Sequence, residues 1–540
     1  MNSYTAHIDT FASDNLPPKA WRAKEIFNLD SLQFPEKLNC AEILLDEKIT
    51  AGHGDKIALR SDLSNWTYQV LYEKANQIAH VLIEDFDLVP GNRVLLRAAN
   101  NLMLAASWLA VVKAGGIAVT TMPLLRARDL QPVINKAEVK LALCDTRLQD
   151  ELNEAQQLCP GLEKICFFDG SKSDDANTEL ESLMSGKPTE FDTVQTAAED
   201  IVLIAFTSGT TGQPKGTMHN HRDVMAVCIC VCDDLIKPVE NDVFIGSPPM
   251  AFTFGLGMQL LFPLYTGASS ALLEAAPPAK LIAGIEQFGA SICSTSPTAY
   301  RAMLADIDNY NISSLIKPVS AGEHLPQGVF EQWQTATGNN IIDGLGATEL
   351  LHIFVGANRS EVPDGATGKA LAGYECCVLN EDNSPVPPGQ QGRLAVIGPS
   401  SCKYLADERQ RKYVIDGWNV PGDICHMDED GYVYYKGRAD DMIISSGYNI
   451  SGPEVEAALL THKAVLECAV VGAKDVERGT IVKAFVVLES SQTADSQTVS
   501  LLQKHVKESI APYKYPRAIE FVDALPKTQT GKIQRHKLRD

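Results

Sequence analysis

Between Thr207 and Gly216 the chain reads Thr-Ser-Gly-Thr-Thr-Gly-Gln-Pro-Lys-Gly. Gly209, Gly212 and Gly216 let the backbone turn tightly and approach a ligand closely. The hydroxyls of Thr207, Ser208, Thr210 and Thr211 donate hydrogen bonds, and Lys215 adds a fixed positive charge. Such a run suits a triphosphate. It is not the Walker A arrangement, because Lys215 follows Pro214 in place of a glycine and no Ser or Thr comes directly after it. A second cationic feature lies far along the chain. Residues 527–540 hold five Lys or Arg, Lys532 among them, and only Asp540 as an acid, a net +4 inside a chain of net charge −21. That local reversal fits an anionic substrate.

Chemistry of this kind needs rigid elements to aim it. From residue 90 onward, β-rich runs alternate with helical patterns: a strand at Arg93–Leu96, a helix over Leu102–Ala114, a strand at Ile117–Thr121, a helix over Ala127–Ala137 and a strand at Leu141–Cys144. Apolar runs at Ile201–Phe206, Val243–Ile245 and Ser291–Ser294 carry the same rhythm forward. The alternation predicts βαβ units, a mostly parallel sheet and an α/β fold for the bulk of the chain. Around residues 380–400 a turn-rich stretch followed by an alternating strand predicts a β-rich subdomain. The last hundred residues predict a small separate α+β domain. Its elements are a strand at Tyr432–Tyr435, a helix opening at Gly452 with Pro453 in its first turn, and strands near Val465–Val471 and Val482–Leu488.

A length of 540 residues exceeds the ~100–200 of one domain. A hydrophobic fraction of 45% and a charged fraction of 21% are those of an ordinary folded protein. The net charge of −21 repels phosphate backbones and anionic bilayers, so neither nucleic acid nor membrane is expected as a partner. The longest apolar stretch, Leu102–Val112, is shorter than the ~18–20 residues of a membrane span, and the N-terminus has neither a basic nor an apolar leader region. The 13 cysteines, odd in number and without paired metal-ligand spacing, fit reduced thiols and a cytoplasmic location. Cys228, Cys230 and Cys232 alternate in a way that reads as small apolar packing.

The segment FTSGTTGQPKG resembles the signature loop of the adenylate-forming superfamily, which includes acyl-CoA synthetases, luciferases and peptide adenylation domains. Further segments match in order over nearly the whole chain. Ala321-Gly322-Glu323 is similar to the family's adenine-contacting strand end, Gly346-Ala347-Thr348-Glu349 to its adenylate and magnesium motif, and Gly422-Asp423 to its ribose-binding aspartate. Gly437-Arg438-Ala439-Asp440-Asp441 resembles its hinge, and Pro526-Lys527-Thr528-Gln529-Thr530-Gly531-Lys532 its catalytic-lysine motif. The resemblance implies ATP, Mg²⁺ and coenzyme A as reactants. It implies an N-terminal adenylation domain over residues 1–436, a hinge at 437–441 and a mobile C-terminal domain over 442–540. A carboxylate must attack the α-phosphorus of ATP and expel pyrophosphate, which brings two anions together and calls for fixed positive charge and a divalent cation. Lys532, the loop with Thr207, Ser208, Gly209, Thr210, Thr211 and Lys215, and Mg²⁺ held through Glu349 would supply it, with Thr348 beside them. Gly322 and Glu323 would contact adenine, Asp423 the ribose, and Arg438 ribose or phosphate. Rotation about Asp440 would exchange the face that carries Lys532 for one that admits CoA.

For the acid, the run Pro248–Gly257 occupies the place of the family's acyl pocket. Phe252, Thr253, Phe254 and Gly255 there could form a flat slot for an aryl ring. The run GATELLHIF resembles benzoate-type CoA ligases, in which the histidine, here His352, reaches that pocket. The family's usual aromatic at the start of this motif is replaced by Leu345. The opening over residues 15–47 and the phrase over 445–460 look like 2-aminobenzoate-CoA ligases, and Thr253, Ser320 or His352 could accept from the ortho amine. Benzoate, substituted benzoates and a carrier protein in place of CoA stay open as alternatives, as does the choice between monomer and homodimer. Eight residues follow Lys532, so no attached carrier domain is expected.

Overall fold

The alternating strands and helices close into two large sheets that share a helical layer. The computed structural model describes residues 4–171, 178–207, 213–439, 441–445, 448–475, 479–490, 492–527 and 533–539. Strands Lys164–Phe168, Leu141–Asp145, Arg93–Arg97, Ile117–Thr121, Ile201–Thr207 and Lys215–Asn220 follow one another across a six-stranded sheet that is parallel except for its last pair. A nine-stranded sheet has Ile342–Gly346, Lys317–Ala321, Ile292–Thr295, Val243–Gly246, Ser269–Ala271 and Ile57–Arg60 running parallel at its centre, with antiparallel strands added at both edges.

Period-two alternation explains why these strands read as unbroken apolar runs. In Arg93–Arg97, Val94 and Leu96 face the shared layer with helices Tyr68–Glu84, Leu102–Lys113 and His221–Ile229, whereas Leu95 faces the outer helices Ala127–Lys136 and Gln149–Leu158. Phe244 likewise faces inward, and Val243 and Ile245 pack outward on helices Pro278–Phe288, Pro297–Met303 and Gln327–Thr337. Helix Leu102–Lys113 is buried on every side, Lys113 included, which is why its sequence is the longest apolar stretch. The Lys113 ammonium is paired with Asp46 at 2.5 Å. Cys228, Cys230 and Cys232 are buried in this same layer. No helix among the described residues is long and apolar enough to cross a membrane.

The β-rich part is an antiparallel sheet built from Glu375–Leu379, Gly392–Ile397, Asp423–Met427, Val433–Arg438 and two short strands. The strand predicted at Tyr432–Tyr435 therefore belongs here, in register with Asp423–Met427, and not to the C-terminal sheet. That C-terminal sheet pairs Val465–Asp475 with Gly479–Leu488 antiparallel and adds Ala518–Phe521 parallel to the second. Helices Gly452–Leu460 and Ser496–Ser509 cover it through Val455, Leu459, Leu502 and Val506. The Ser451 hydroxyl caps the first of these helices, accepting from the Glu454 amide at 3.3 Å.

Candidate active site

Strands Ile201–Thr207 and Lys215–Asn220 are antiparallel neighbours, with Thr207 opposite Lys215 and Phe206 opposite Gly216. Ser208, Gly209, Thr210 and Thr211 lie outside the described residues, as do Lys532 and the hinge residue Asp440. Thr207 Oγ1 is buried without a partner among the described residues. Lys215 Nζ donates to the Tyr404 hydroxyl at 3.0 Å, and that hydroxyl donates to Glu349 Oε1 at 2.5 Å. Lys215 and Glu349 themselves are 3.6 Å apart. Tyr404 thus bridges the loop cation and the carboxylate expected to hold magnesium.

Glu349 lies in the short turn Thr348–Leu350 that joins strand Ile342–Gly346 to the antiparallel strand Ile353–Asn358. The turn closes tightly: Leu351 takes φ 71°, a conformation that costs a non-glycine residue about 1–3 kcal/mol and that its surroundings must impose. His219 Nε2 donates to the Thr348 carbonyl at 2.9 Å. Behind His219, buried Asp223 is paired with Lys403 at 3.0 Å. Burial alone would raise the Asp223 carboxyl, but Lys403, His219 and Arg222 outweigh it and hold it at about 2. The turn that presents Thr348 and Glu349 is therefore anchored through a charged network.

One carboxylate suits Mg²⁺ when substrate phosphates and waters complete its octahedron. No cluster of three or more His, Cys, Asp or Glu that could hold a metal stands among the described residues. Glu349 thus fits a magnesium ion shared with ATP in preference to one held by the protein alone.

On the far side of the same turn, His352 is buried with its ring 4.6 Å from Phe262 and 5.5 Å from Phe254. Its Nε2 donates to the Phe254 carbonyl at 3.4 Å, and its Nδ1 is buried without a partner among the described residues. Burial pushes the imidazole down to about 3, against a weaker opposing effect of the Phe254 bond, so the ring is neutral at physiological pH. Phe252 and Phe254 do not alternate along a strand. Phe252 precedes and Phe254 lies within a short helix, Thr253–Leu256, that continues as a π-helical turn over Gly257–Leu261. Two glycines make this geometry. A Cβ on Gly257 would come within 2.5 Å of the His352 ring, and one on Gly255 within 2.0 Å of the Pro249 carbonyl oxygen. Thr253 is buried, and Ser320 Oγ is buried and without a partner among the described residues.

The residues expected to contact adenine and ribose lie at the end of a central strand and in the β-rich sheet. Gly322 takes φ +86° at the end of strand Lys317–Ala321, and Glu323 accepts from the Thr298 hydroxyl at 2.8 Å. His324 stacks on Tyr435 at 5.6 Å, which joins this strand end to the β-rich sheet. In that sheet Asp423 and Arg438 face each other across the ladder, with Arg438 Nη1 3.3 Å from Asp423 Oδ1 and 2.6 Å from the Pro421 carbonyl. Tyr413, edge-on to Tyr404 at 5.7 Å, has its hydroxyl ionisation raised by burial first and then by the charges around it, Glu349 and Asp423 among them.

The basic tail differs from its sequence reading. Lys527 is paired with Glu467, Arg535 with Glu456 and Arg539 with Asp441. Three of the five cations are thus neutralised within the C-terminal part, and the tail's net charge is not by itself a sign of an anionic substrate. Two contributors went unread in the sequence. Tyr404 carries no motif, and Asn100, whose side chain donates to the Pro248 carbonyl (3.1 Å) and accepts from the Met250 amide (2.8 Å), meets its partners about 150 residues away.

Residues 46–404 match the AMP-binding enzyme family, and residues 454–532 match its C-terminal domain. The chain is 34% identical over 515 residues to the benzoate–CoA ligase of Thauera aromatica, covering 94% of this chain and 97% of that protein. Among solved structures, it is similar to the anthranilate CoA ligase AuaEII in complex with anthranoyl-AMP (TM-score 0.89, 32% identity, 94% of this chain and 98% of that one). A benzoate CoA ligase from Burkholderia xenovorans LB400 is also similar (TM-score 0.85, 30% identity, 93% and 100%). The protein belongs to the AMP-binding enzyme family of adenylate-forming ligases. It is an AMP-forming acid–thiol ligase whose reaction takes ATP, Mg²⁺ and CoA, and aryl-CoA ligases are among its near relatives.

Proposed function

We propose that the protein is an aryl-acid CoA ligase with 2-aminobenzoate as its preferred acid. The observation that carries this reading is His352, a buried neutral imidazole set between two phenylalanine rings. Because Nε2 donates to the Phe254 carbonyl, the proton is assigned to that nitrogen, and Nδ1 keeps a lone pair with no partner among the described residues. A buried acceptor left unpaired is costly, and an ortho amine would satisfy it. Ser320 Oγ, buried and likewise unpartnered, is a second acceptor for the same group. The similarity to an anthranilate CoA ligase supports the reading.

In the first half-reaction the acid carboxylate attacks the α-phosphorus, an adenylate forms and pyrophosphate leaves. Lys215 supplies fixed positive charge beside the phosphates, and Tyr404 keeps it in line with Glu349. Glu349 would hold Mg²⁺, which when bound would neutralise phosphate charge. We assign Lys532 to the same step from the C-terminal side. In the second half-reaction the CoA thiol displaces AMP from the acyl carbon, after a rotation about Asp440.

The test is CoA-dependent AMP formation with 2-aminobenzoate, benzoate and a medium-chain fatty acid, compared as kcat/KM. The proposal predicts the order 2-aminobenzoate, benzoate, fatty acid. Preference for the fatty acid would overturn the aryl assignment.

A further inference from the structure

The exit of the phosphate loop is tethered from outside the site. The Arg409 guanidinium donates to the carbonyls of Gln213 (3.0 Å) and Pro214 (3.4 Å), and Lys136 Nζ reaches the same Pro214 carbonyl at 3.5 Å. Both cations converge on one carboxylate. Asp407 Oδ2 lies 2.6 Å from Lys136 Nζ and 2.5 Å from Arg409 Nη2, while Oδ1 accepts from Arg409 Nε at 2.8 Å and from the Arg409 amide at 3.0 Å.

The segment that carries Asp407 also lies along the strand leaving the loop. The Met218 amide donates to the Lys403 carbonyl and the Leu405 amide to the Gly216 carbonyl, both at 2.8 Å. One short strap thus presents Tyr404 to Lys215 and Glu349 and, three residues later, the carboxylate that holds the loop's exit. On its other side Tyr404, Ala406, Asp407 and Glu408 border a cavity of about 230 Å³ shared with Asn15 and Trp21. Ala406 takes φ +43°, a left-handed conformation that a residue with a side chain holds only under constraint. Burial would raise the Asp407 carboxyl, but Arg409 and Lys136 hold it well below the usual carboxylate range, so the ion pairs persist through the neutral range.

We propose that Asp407 is a positioning residue for adenylation: through Arg409 and Lys136 it fixes the exit of the phosphate loop, and so the placement of Lys215 on ATP. This rests on the adenylation chemistry and not on which acid is used. The full-length protein is therefore tested for MgATP binding in the absence of acid, for acid-dependent ATP–pyrophosphate exchange, and separately for thioester formation from a supplied aryl-adenylate and CoA. Asp407→Asn should weaken MgATP binding and slow exchange by about tenfold each, with thioester formation within about twofold of the parent. Lys136→Gln leaves the Asp407–Arg409 pair in place and should weaken MgATP binding by about threefold, and Asp407→Glu should recover most of the loss. Lys136→Gln decides the matter if Asp407→Asn does not fold. Unchanged MgATP affinity in the variants that fold would overturn the proposal. So would equal loss of both half-reactions with no recovery in Asp407→Glu. Failure of the aryl assignment alone would leave the MgATP measurement untouched.

Discussion

His352 shows how one side chain links specificity to stability. Its pKa falls from 6.5 to about 3 on folding, so between those values the unfolded chain binds more protons and stability is lost as the pH falls. Above pH 6.5 its contribution is complete. The thermal midpoint of His352→Leu should therefore fall less steeply than that of the parent between pH 6.5 and 4, and its preference for 2-aminobenzoate over benzoate should disappear. An unchanged ratio of kcat/KM for the two acids would place the ortho-amine acceptor elsewhere. Tyr404 is tested at the same scale. Removing its hydroxyl takes away its hydrogen bonds to Lys215 and Glu349 and leaves only their direct ion pair at 3.6 Å, a loss of about 1.5–3 kcal/mol for hydrogen bonds to charged groups, so Tyr404→Phe should slow ATP–pyrophosphate exchange by about 10–100-fold. Exchange at the parental rate would show that the bridge is incidental.

At the scale of elements, the proposed acyl wall depends on two missing side chains. Gly257→Ala would place a Cβ 2.5 Å from an imidazole that can shift, so kcat/KM for aryl acids should fall at least about tenfold while KM for ATP stays the same. Gly255→Ala would meet the Pro249 backbone at 2.0 Å, which cannot yield without moving the loop. It should destabilise the fold by about 2 kcal/mol or more in denaturant titration. An undisturbed Gly255→Ala would mean that the wall is loosely packed. Much of this level was legible in the sequence, because strands such as Arg93–Arg97 and Ile117–Thr121 are covered on both faces and so read as apolar runs between helices. The π-helical turn at Gly257–Leu261 and the positive φ of Leu351 were not. Both are imposed by tertiary packing, and the residues that adopt them have no local preference for doing so. The helix start at Thr253, which sets Phe252 and Phe254, was not legible either. Motif residues were found through resemblance, whereas Tyr404, Asn100 and Asp407 are partners brought in by topology.

Across the whole molecule, the larger N-terminal part and the C-terminal part touch through Arg301 and Val465. The Arg301 guanidinium donates to the Val465 carbonyl at 2.7 Å, and Arg535, held by Glu456, also feels the charge of Glu323. If the C-terminal part presents different faces in the two half-reactions, single changes there should separate them. Lys532→Ala should abolish adenylation while thioester formation from a supplied adenylate persists. Asp440→Pro, which restricts φ and removes a backbone donor, should depress the CoA step selectively. Equal loss of both steps in either variant would argue against two working arrangements.

On the proposed function, this site joins an aryl acid to AMP before CoA enters. The most direct measurement is a single-turnover reaction with ATP, Mg²⁺ and 2-aminobenzoate, quenched before and after CoA is added, with products followed by mass spectrometry. Before CoA, the predicted result is enzyme-bound 2-aminobenzoyl-adenylate and pyrophosphate in equal amounts. After CoA, it is conversion to the thioester and AMP. Formation of ADP and phosphate, or no adenylate from the aryl acid while a fatty acid yields one, would contradict it.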